Sequence, residues 1–408
     1  MASKGTILIL SQVYVPDSAA VGQHMHEAAI ALVQRGFRVV VLTSSRGYDD
    51  PSIKNPRREL RDGVDIRRLP LSSFGKGSLT RRLTGAAFFL TQALLRAFCV
   101  RGLRGVLVST SPPMCSGVAW LLATIRRTPY TFWVMDINPD QAVILGQIQE
   151  GSLLVRLFNI INRQVLKRAK RVVTLDPLMA DRMNRKFDAT HKTVVIPAWT
   201  MLEPKTPAPH SENPFRKKHQ LDGRLVFMYS GNHSVAHPIS TILDAAKRLE
   251  DREDIVFMFV GGGLGKRDVD IAVQNGAKNI RSLPYQALEE LQWSLSAADI
   301  HLVTFSQEMV GVVHPCKAYG ALAVGRPILL VGPTQSHIGN LIDDYHVGWA
   351  IEKDAVDEMV QLVQSIAAGQ AGDLEAMGRR GVQAIRESLS PTVLRGRLCD
   401  VIEDSLVQ

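Results

Sequence analysis

An α/β fold of two doubly wound domains is what this chain predicts, and three observations carry the prediction. Short runs rich in Val, Ile and Leu alternate with helix-period segments along the whole length. Those runs are almost continuously apolar, as parallel strands covered on both faces must be. The 408 residues are 46% apolar, enough for two cores. Between two halves of similar size lies AWTMLEPKTPAPHSENPF (198–215), rich in proline and polar residues and without period. It reads as a linker.

The strands follow in order. The first half offers TILIL (6–10), RVVVLT (38–43), VDIRRL (64–69), GVLVST (105–110), YTFWVM (130–135), RVVTL (171–175) and TVVIP (193–197). The second offers RLVFMYS (224–230), IVFMFVG (255–261), NIRSL (279–283), DIHLVTF (299–305), PILLV (327–331) and VGWAI (347–351). Helical patterns fill most of the intervals, and the tail from Pro391 to Gln408 reads as a last helix. The domains are expected at 1–200, with a C-terminal helix 388–408 crossing back to it, and at 201–387. Two such domains would face a central cleft, with ligands at the C-terminal edges of their strands.

Composition narrows the partners. A net charge of +9 and a pI near 9.5 favour anions: nucleotides, phosphates or acidic lipid surfaces. Basic residues are scattered and form no DNA- or RNA-binding signature, so nucleic acid is not expected. The four cysteines show no CxxC spacing, which argues against a disulfide frame or zinc knuckle and fits a reducing cytosol. No signal peptide is read at the N-terminus. The nearest approach to a membrane span, Leu83–Val100, is interrupted by Gln92, Arg96 and two threonines. The expected location is cytoplasmic, with a peripheral position at the inner membrane face as a further reading. That reading rests on two basic amphipathic stretches, 79–98 and 153–171, whose simpler reading is sheet-covering helices with basic outer faces.

Chemistry concentrates at strand ends. After RLVFMYS comes a polar loop in which Gly231 lets backbone approach a phosphate, while Asn232, His233 and His237 offer donors to diphosphate oxygens. VGGGLGKR (260–267) matches neither the Walker pattern nor GxGxxG. It reads as a tight turn, with Gly262 as a secondary ligand contact. In EMVGVVHPCKAYGALAVGRP (308–327), Lys317 falls in the first turn of a helix, where a cation opposes the helix dipole unless an anion binds beside it. In the first half, the small-residue loop Ala19–Gly22 follows the first strand. Asp136 directly follows YTFWVM, and Asp140 is four residues on; either carboxylate could orient a hydroxyl or act as a base. Asp136 could equally cap the next segment. His24 and His26 lack HxxxH spacing and acidic company, so no metal site is expected. Asp268-Val269-Asp270 lies in a helical pattern and reads as a solvated face.

Taken in order, ALVQRGFRVVVLT, YSGNH…LDAAKRL, VGGG, LPYQALEEL, SAADIHLV and PCKAYGALAVGRPIL resemble the retaining GT-B glycosyltransferases of family 4. The pattern is most similar to bacterial cell-surface polysaccharide members of fucosamine-transferase type, and it covers nearly the whole chain. The resemblance implies two Rossmann-like domains, no cofactor and no metal. It implies a nucleotide-diphosphate-sugar donor, by preference a UDP-sugar, held mainly by the C-terminal domain. It further implies a saccharide or lipid-linked acceptor held by the N-terminal domain, and hexosyl or N-acetylhexosaminyl transfer. By position, Gly22, Gly231, Asn232, His233, His237, Gly262, Pro284, Tyr285, Glu308, His314, Pro315 and Lys317 fall on the donor-binding pattern. Asp136, His233 and Lys317 fall on the catalytic one. The segment Leu283-Pro284-Tyr285 matches the one whose backbone, in that family, meets the nucleobase. Three positions depart from the pattern. Gly320 stands where relatives carry a ribose-binding glutamate, Met135 where many carry Arg or His, and Ala19-Ala20 where they carry paired glycines. Alternative functions compatible with the fold are a catalytically silent sugar-nucleotide-binding subunit and a nucleotide-sugar epimerase.

Overall fold

The computed structural model describes residues 3–17, 19–47, 50–70, 72, 79–204 and 209–407. The chain forms two compact units. The first comprises Met1–Ala198, Gly311–His314 and Thr392–Gln408; the second comprises Trp199–Val310 and Pro315–Pro391. The expected linker 198–215 lies partly outside the described residues, at 205–208, as does Ser18 of the loop after the first strand.

In the first unit an eight-stranded sheet contains β1 (Thr6–Leu10), β2 (Arg38–Ser44), β3 (Arg58–Arg61), β4 (Val64–Leu69), β5 (Leu103–Val108), β6 (Tyr130–Trp133), β7 (Arg171–Thr174) and β8 (Thr193–Val195). Its order is β3-β4-β2-β1-β5-β6-β7-β8. Every pairing is parallel except that of β3 with β4. The central strands are buried along their length because helices cover both faces. Strand β3 has no counterpart among the expected strands. Its sequence, RELR, is polar and sits at the sheet edge, so no apolar period marks it. The signal was the Asp62-Gly63 pair between β3 and β4, a two-residue hairpin turn whose φ angles are 50° and 79°.

In the second unit a six-stranded parallel sheet contains β9 (Leu225–Ser230), β10 (Ile255–Val260), β11 (Ile280–Leu283), β12 (Ile300–Thr304), β13 (Ile328–Val331) and β14 (Gly348–Ile351). The order β11-β10-β9-β12-β13-β14 is the doubly wound Rossmann arrangement. The chain runs outward from β9 to β11, returns, and runs outward again from β12. Loops leaving β9 and β12 therefore diverge and open a crevice at the C-terminal ends of these neighbouring strands. The core on one face contains Phe227, Tyr229, Phe257, Phe259 and the helix residues Ile242, Ala245 and Ala246.

Two helix expectations need adjusting. The expected loop Ala19–Gly22 is already helix from Ala20 onward. The helix bearing Lys317 has seven residues, Lys317–Ala323, too short for an appreciable macrodipole, so local contacts decide the setting of that lysine. The last helix, Pro391–Leu406, buries Leu394, Leu398 and Ile402 in the first unit and is pinned by Arg35, which bonds Asp400 (2.6 Å), Glu403 (2.8 Å) and the Gly396 carbonyl (2.9 Å).

Candidate active site

The crevice between β9 and β12 is built by three loops. Residues 231–239 follow β9, 261–265 follow β10 and 305–316 follow β12. The first two are stitched together: His233 N donates to Gly262 O (2.8 Å) and Gly265 N to His233 O (2.7 Å). Such close backbone approach requires glycine. At Gly261, where φ is +131°, a Cβ would lie 2.0 Å from Gly231 O. Lys266 holds the same turn from behind, donating to the carbonyls of Gly261 (2.7 Å) and Leu283.

Lys317 enters this crevice. Its ammonium lies 3.5 Å from the centroid of the Tyr229 ring and is buried without a hydrogen-bond partner. Its Cε stands 3.8 Å from where a side chain on Gly231 would begin. Burial pulls the amine down to about 7, since the charged form loses its hydration. The ring face returns part of that loss by cation–π attraction, and Tyr229 is itself fixed by its hydroxyl donating to Asn232 O (2.8 Å). An ammonium so placed lacks an anion.

Other expected donor residues are distributed around this point. Asn232 is exposed, and its Oδ1 lies close over Gly263. Tyr285, 48% exposed, lies over Gly262 just beyond β11. Pro284 directly follows β11, and Glu308 is exposed on a short 3-10 turn. Cys316 and Pro315 lead directly into Lys317.

Of the two histidines of the β9 loop expected to donate to a diphosphate, His237 corrects the expectation, its ring proton being engaged by Thr304 O. His233 is wholly buried, its ring tilted against Tyr229 (4.5 Å) and Phe259 (6.1 Å), and neither ring nitrogen has a hydrogen-bond partner. Burial, and then the Lys317 charge, lower it to about 4, which keeps it neutral. It serves the loop through its backbone bonds. His237 is neutral as well, pushed down to about 3 by burial and by Lys317. Its one ring proton is spent at Nδ1 on Thr304 O (2.6 Å), a bond that ties the β9 loop to the end of β12. His314 departs further. It belongs to the first unit, where Nδ1 bonds Asp176 Oδ2 at 2.9 Å with both side chains buried. Asp176 also caps the helix Pro177–Phe187, accepting from Met179 N (2.8 Å).

In the first unit Asp136 stands beyond the C-terminal end of β6. Burial lifts its carboxyl to about 6, and Gln141 Nε2 approaches it at 3.5 Å. The next residue, Ile137, donates its N–H to Val312 O (3.0 Å), so 311–314 borders this loop. Asp140 does not share a catalytic part: Lys186 (2.6 Å) and Arg182 (3.4 Å) neutralise it. Gly22 is explained by packing, since a Cβ there would come within 2.9 Å of Tyr14 Cα. His24 bonds Ala20 O (2.7 Å), and His26 lies between Tyr14 and Asp62, without an arrangement for metal.

Sequence reasoning passed over Tyr229, Lys266 and Asp176. The Asp176-Pro177 pair opening a helical pattern was a readable cap signal. Nothing local marks Tyr229 as the seat of a residue 88 positions away.

Comparison with known proteins agrees with this architecture. Residues 19–199 match the glycosyl transferase 4-like domain family. A probable glycosyltransferase, WbjE, of Pseudomonas aeruginosa is 27% identical over 92% of this chain and 93% of its own. A putative colanic acid biosynthesis glycosyl transferase, WcaI, of Escherichia coli K12 is 24% identical over 87% and 90%. Among solved structures, HepE of Anabaena in complex with UDP-glucose superposes with a TM-score of 0.72 at 11% identity, covering 98% of this chain and 100% of the other. The fold is GT-B, residues 19–199 match a glycosyl transferase 4-like domain, and the two similar proteins are a probable and a putative glycosyltransferase.

Proposed function

We propose that this chain is a retaining glycosyltransferase of cell-surface polysaccharide assembly, moving a sugar from a nucleotide-diphosphate donor, by preference a UDP-sugar, to a hydroxyl of a lipid-linked or saccharide acceptor. The observation that carries the reading is the buried Lys317 ammonium, unpartnered by any hydrogen bond, at the β9/β12 crevice of a Rossmann unit. An anion there removes the conflict. A diphosphate whose charge grows as the glycosidic C1–O bond breaks removes it best in the transition state, where stabilisation accelerates the reaction. Asn232 and the glycine turns crowd around the same point, and Tyr285 offers a ring beside Gly262 for the base or ribose.

Retention follows if the acceptor oxygen attacks C1 on the face the diphosphate leaves. The acceptor proton then passes to the departing phosphate oxygen. Asp136, in the first unit, orients the acceptor hydroxyl as a carboxylate. Similarity to a putative colanic acid biosynthesis glycosyl transferase supports the polysaccharide setting.

The test is a thermal-shift screen with UDP-, GDP- and dTDP-sugars, followed by turnover of Lys317→Ala. Stabilisation by one base class is expected, since a ligand bound only to the folded state raises stability by mass action. Loss of one charge-assisted contact, ~1.5–3 kcal/mol, lowers turnover by more than tenfold. Near-normal transfer by the variant removes Lys317 from the mechanism, and donor binding without nucleotide release across an acceptor panel replaces the enzyme with a silent binder.

A further inference from the structure

Tyr229 stands where the core of the second unit meets the crevice. Strand register places it beside Phe259 on β10, two residues after Phe227 on β9. The rings of Phe227 and Phe257 stack at 5.4 Å, and those of Tyr229 and Phe259 lie tilted at 6.3 Å. Tyr229 is fully buried. Its hydroxyl donates to Asn232 O (2.8 Å), and His233 packs on its ring at 4.5 Å, so strand, core and loop together fix the ring plane. Over that plane lies the Lys317 ammonium, 3.5 Å from the centroid.

A buried ammonium is ordinarily seated on a carboxylate. Among the described residues none serves Lys317. The titratable groups around it are Cys316 on its own helix, the neutral His233 and His237 of the β9 loop, and Tyr229 itself. Lys266 is engaged elsewhere, on the carbonyls of Gly261 and Leu283. The difference matters to a ligand. A carboxylate would hold the amine and cancel its charge, and an entering phosphate would have to displace it. A ring face attracts the charged amine through its quadrupole and leaves the positive charge in place.

We infer that Tyr229 is a positioning residue for anion capture: its ring face takes the place of a counter-ion, holding the Lys317 ammonium beside Gly231 while leaving its charge for the phosphate of the ligand. The inference rests on the donor reading of this crevice and adds the residue that keeps the crevice cationic. Tyr229 acts through Lys317 and takes no part in the chemistry itself. Its hydroxyl has a separate task, pinning Asn232, so the ring and the hydroxyl can be tested apart.

The test follows the titration of the Lys317 side chain in isotope-labelled full chain without ligand, from the resonance of its Cε. Tyr229→Phe keeps a ring face and is expected to titrate as wild type does. Tyr229→Met and Tyr229→Leu lose the ring and are expected to titrate lower by about half a pH unit or more, because the charged form loses its attraction. Met keeps more of the buried volume, so one aliphatic variant remains informative if Leu unfolds the unit. Calorimetry at neutral pH is expected to show nucleotide-sugar affinity about fivefold weaker in the aliphatic variants and within about twofold of wild type in Tyr229→Phe. In a Lys317→Met background, Tyr229→Leu is expected to change that affinity by less than about twofold, since the ring acts through the amine. Wild-type titration in the aliphatic variants overturns the inference, as does a Tyr229→Phe titration that matches theirs. So does a full further loss of affinity in the Lys317→Met background, which would make Tyr229 a support of the loop alone. If no nucleotide-sugar binds wild type, the donor reading fails, and the same comparison with inorganic pyrophosphate then decides the role of the ring.

Discussion

An ammonium held above an aromatic ring, out of water and without a hydrogen bond, is costly, and the cost has a sign that can be measured. Lys317 ordinarily titrates near 10.5; in the fold it titrates near 7. The unfolded chain therefore binds more protons between those values, so this group's penalty is full below pH 7 and fades as pH rises toward 10.5. Lys317→Met should melt higher than wild type at pH 6–7, by on the order of 1 kcal/mol, with the gap closing toward pH 10. Ligand binding runs the other way. A phosphate restores the charged form, so donor affinity should fall by close to tenfold per pH unit above 7, with proton uptake on binding. Calorimetry in buffers of different ionisation enthalpy measures that uptake. A flat profile would show that the ammonium does not meet the phosphate.

Asp136 makes a separate residue-level prediction. Its carboxyl is held near 6 by burial, above the usual 3.8. As an orienting carboxylate it is active only when ionised, so turnover should rise through an acid limb centred near pH 6. Asp136→Asn should abolish that limb and lower turnover by ~10²-fold or more. An unchanged limb in the variant would assign it to another group.

At the scale of single elements, capping and burial are joined at Asp176. One carboxylate oxygen accepts the Met179 N–H and the other meets buried His314. Asp176→Ala removes a cap, ~1 kcal/mol, and leaves a buried imidazole without that partner, another ~1–3 kcal/mol. Urea unfolding should show a loss of ~2–4 kcal/mol in the first unit. Asp176→Asn keeps the cap acceptor and should recover the smaller part. Equal losses in the two variants would remove the cap from this account. Element reading also shows where sequence patterns reach their limit. Strands such as IVFMFV announce themselves by continuous apolarity, whereas RELR is a strand only because VDIRRL lies beside it.

At the scale of the molecule, the chain twice returns to its first unit: briefly at 311–314 and finally through the helix Pro391–Leu406. Leu398 is fully buried there. Leu398→Ala should cost ~2–5 kcal/mol through lost burial and the cavity left behind. Because the Lys317 crevice is built from the second unit, its donor binding should persist below the melting transition. A variant that loses donor binding while still folded would show that the C-terminal helix matters to the ligand and not only to its own unit.

What the amino-acid order determined by itself was local: which runs are parallel strands, where glycine turns interrupt them, and that Lys317 opens a helix after the strand Ile300–Thr304. These depend on apolar spacing and turn chemistry within about ten residues. What only the tertiary structure decided was the company each side chain keeps. His233 and His237 look like anion donors in a polar loop, yet packing buries the first and Thr304 takes the proton of the second. His314 sits three residues before Lys317 and is bound to Asp176 in the other unit. Tyr229 becomes the seat of Lys317 only because the doubly wound order makes β9 and β12 neighbours. Such pairings join residues far apart in sequence, and no short-range pattern encodes them.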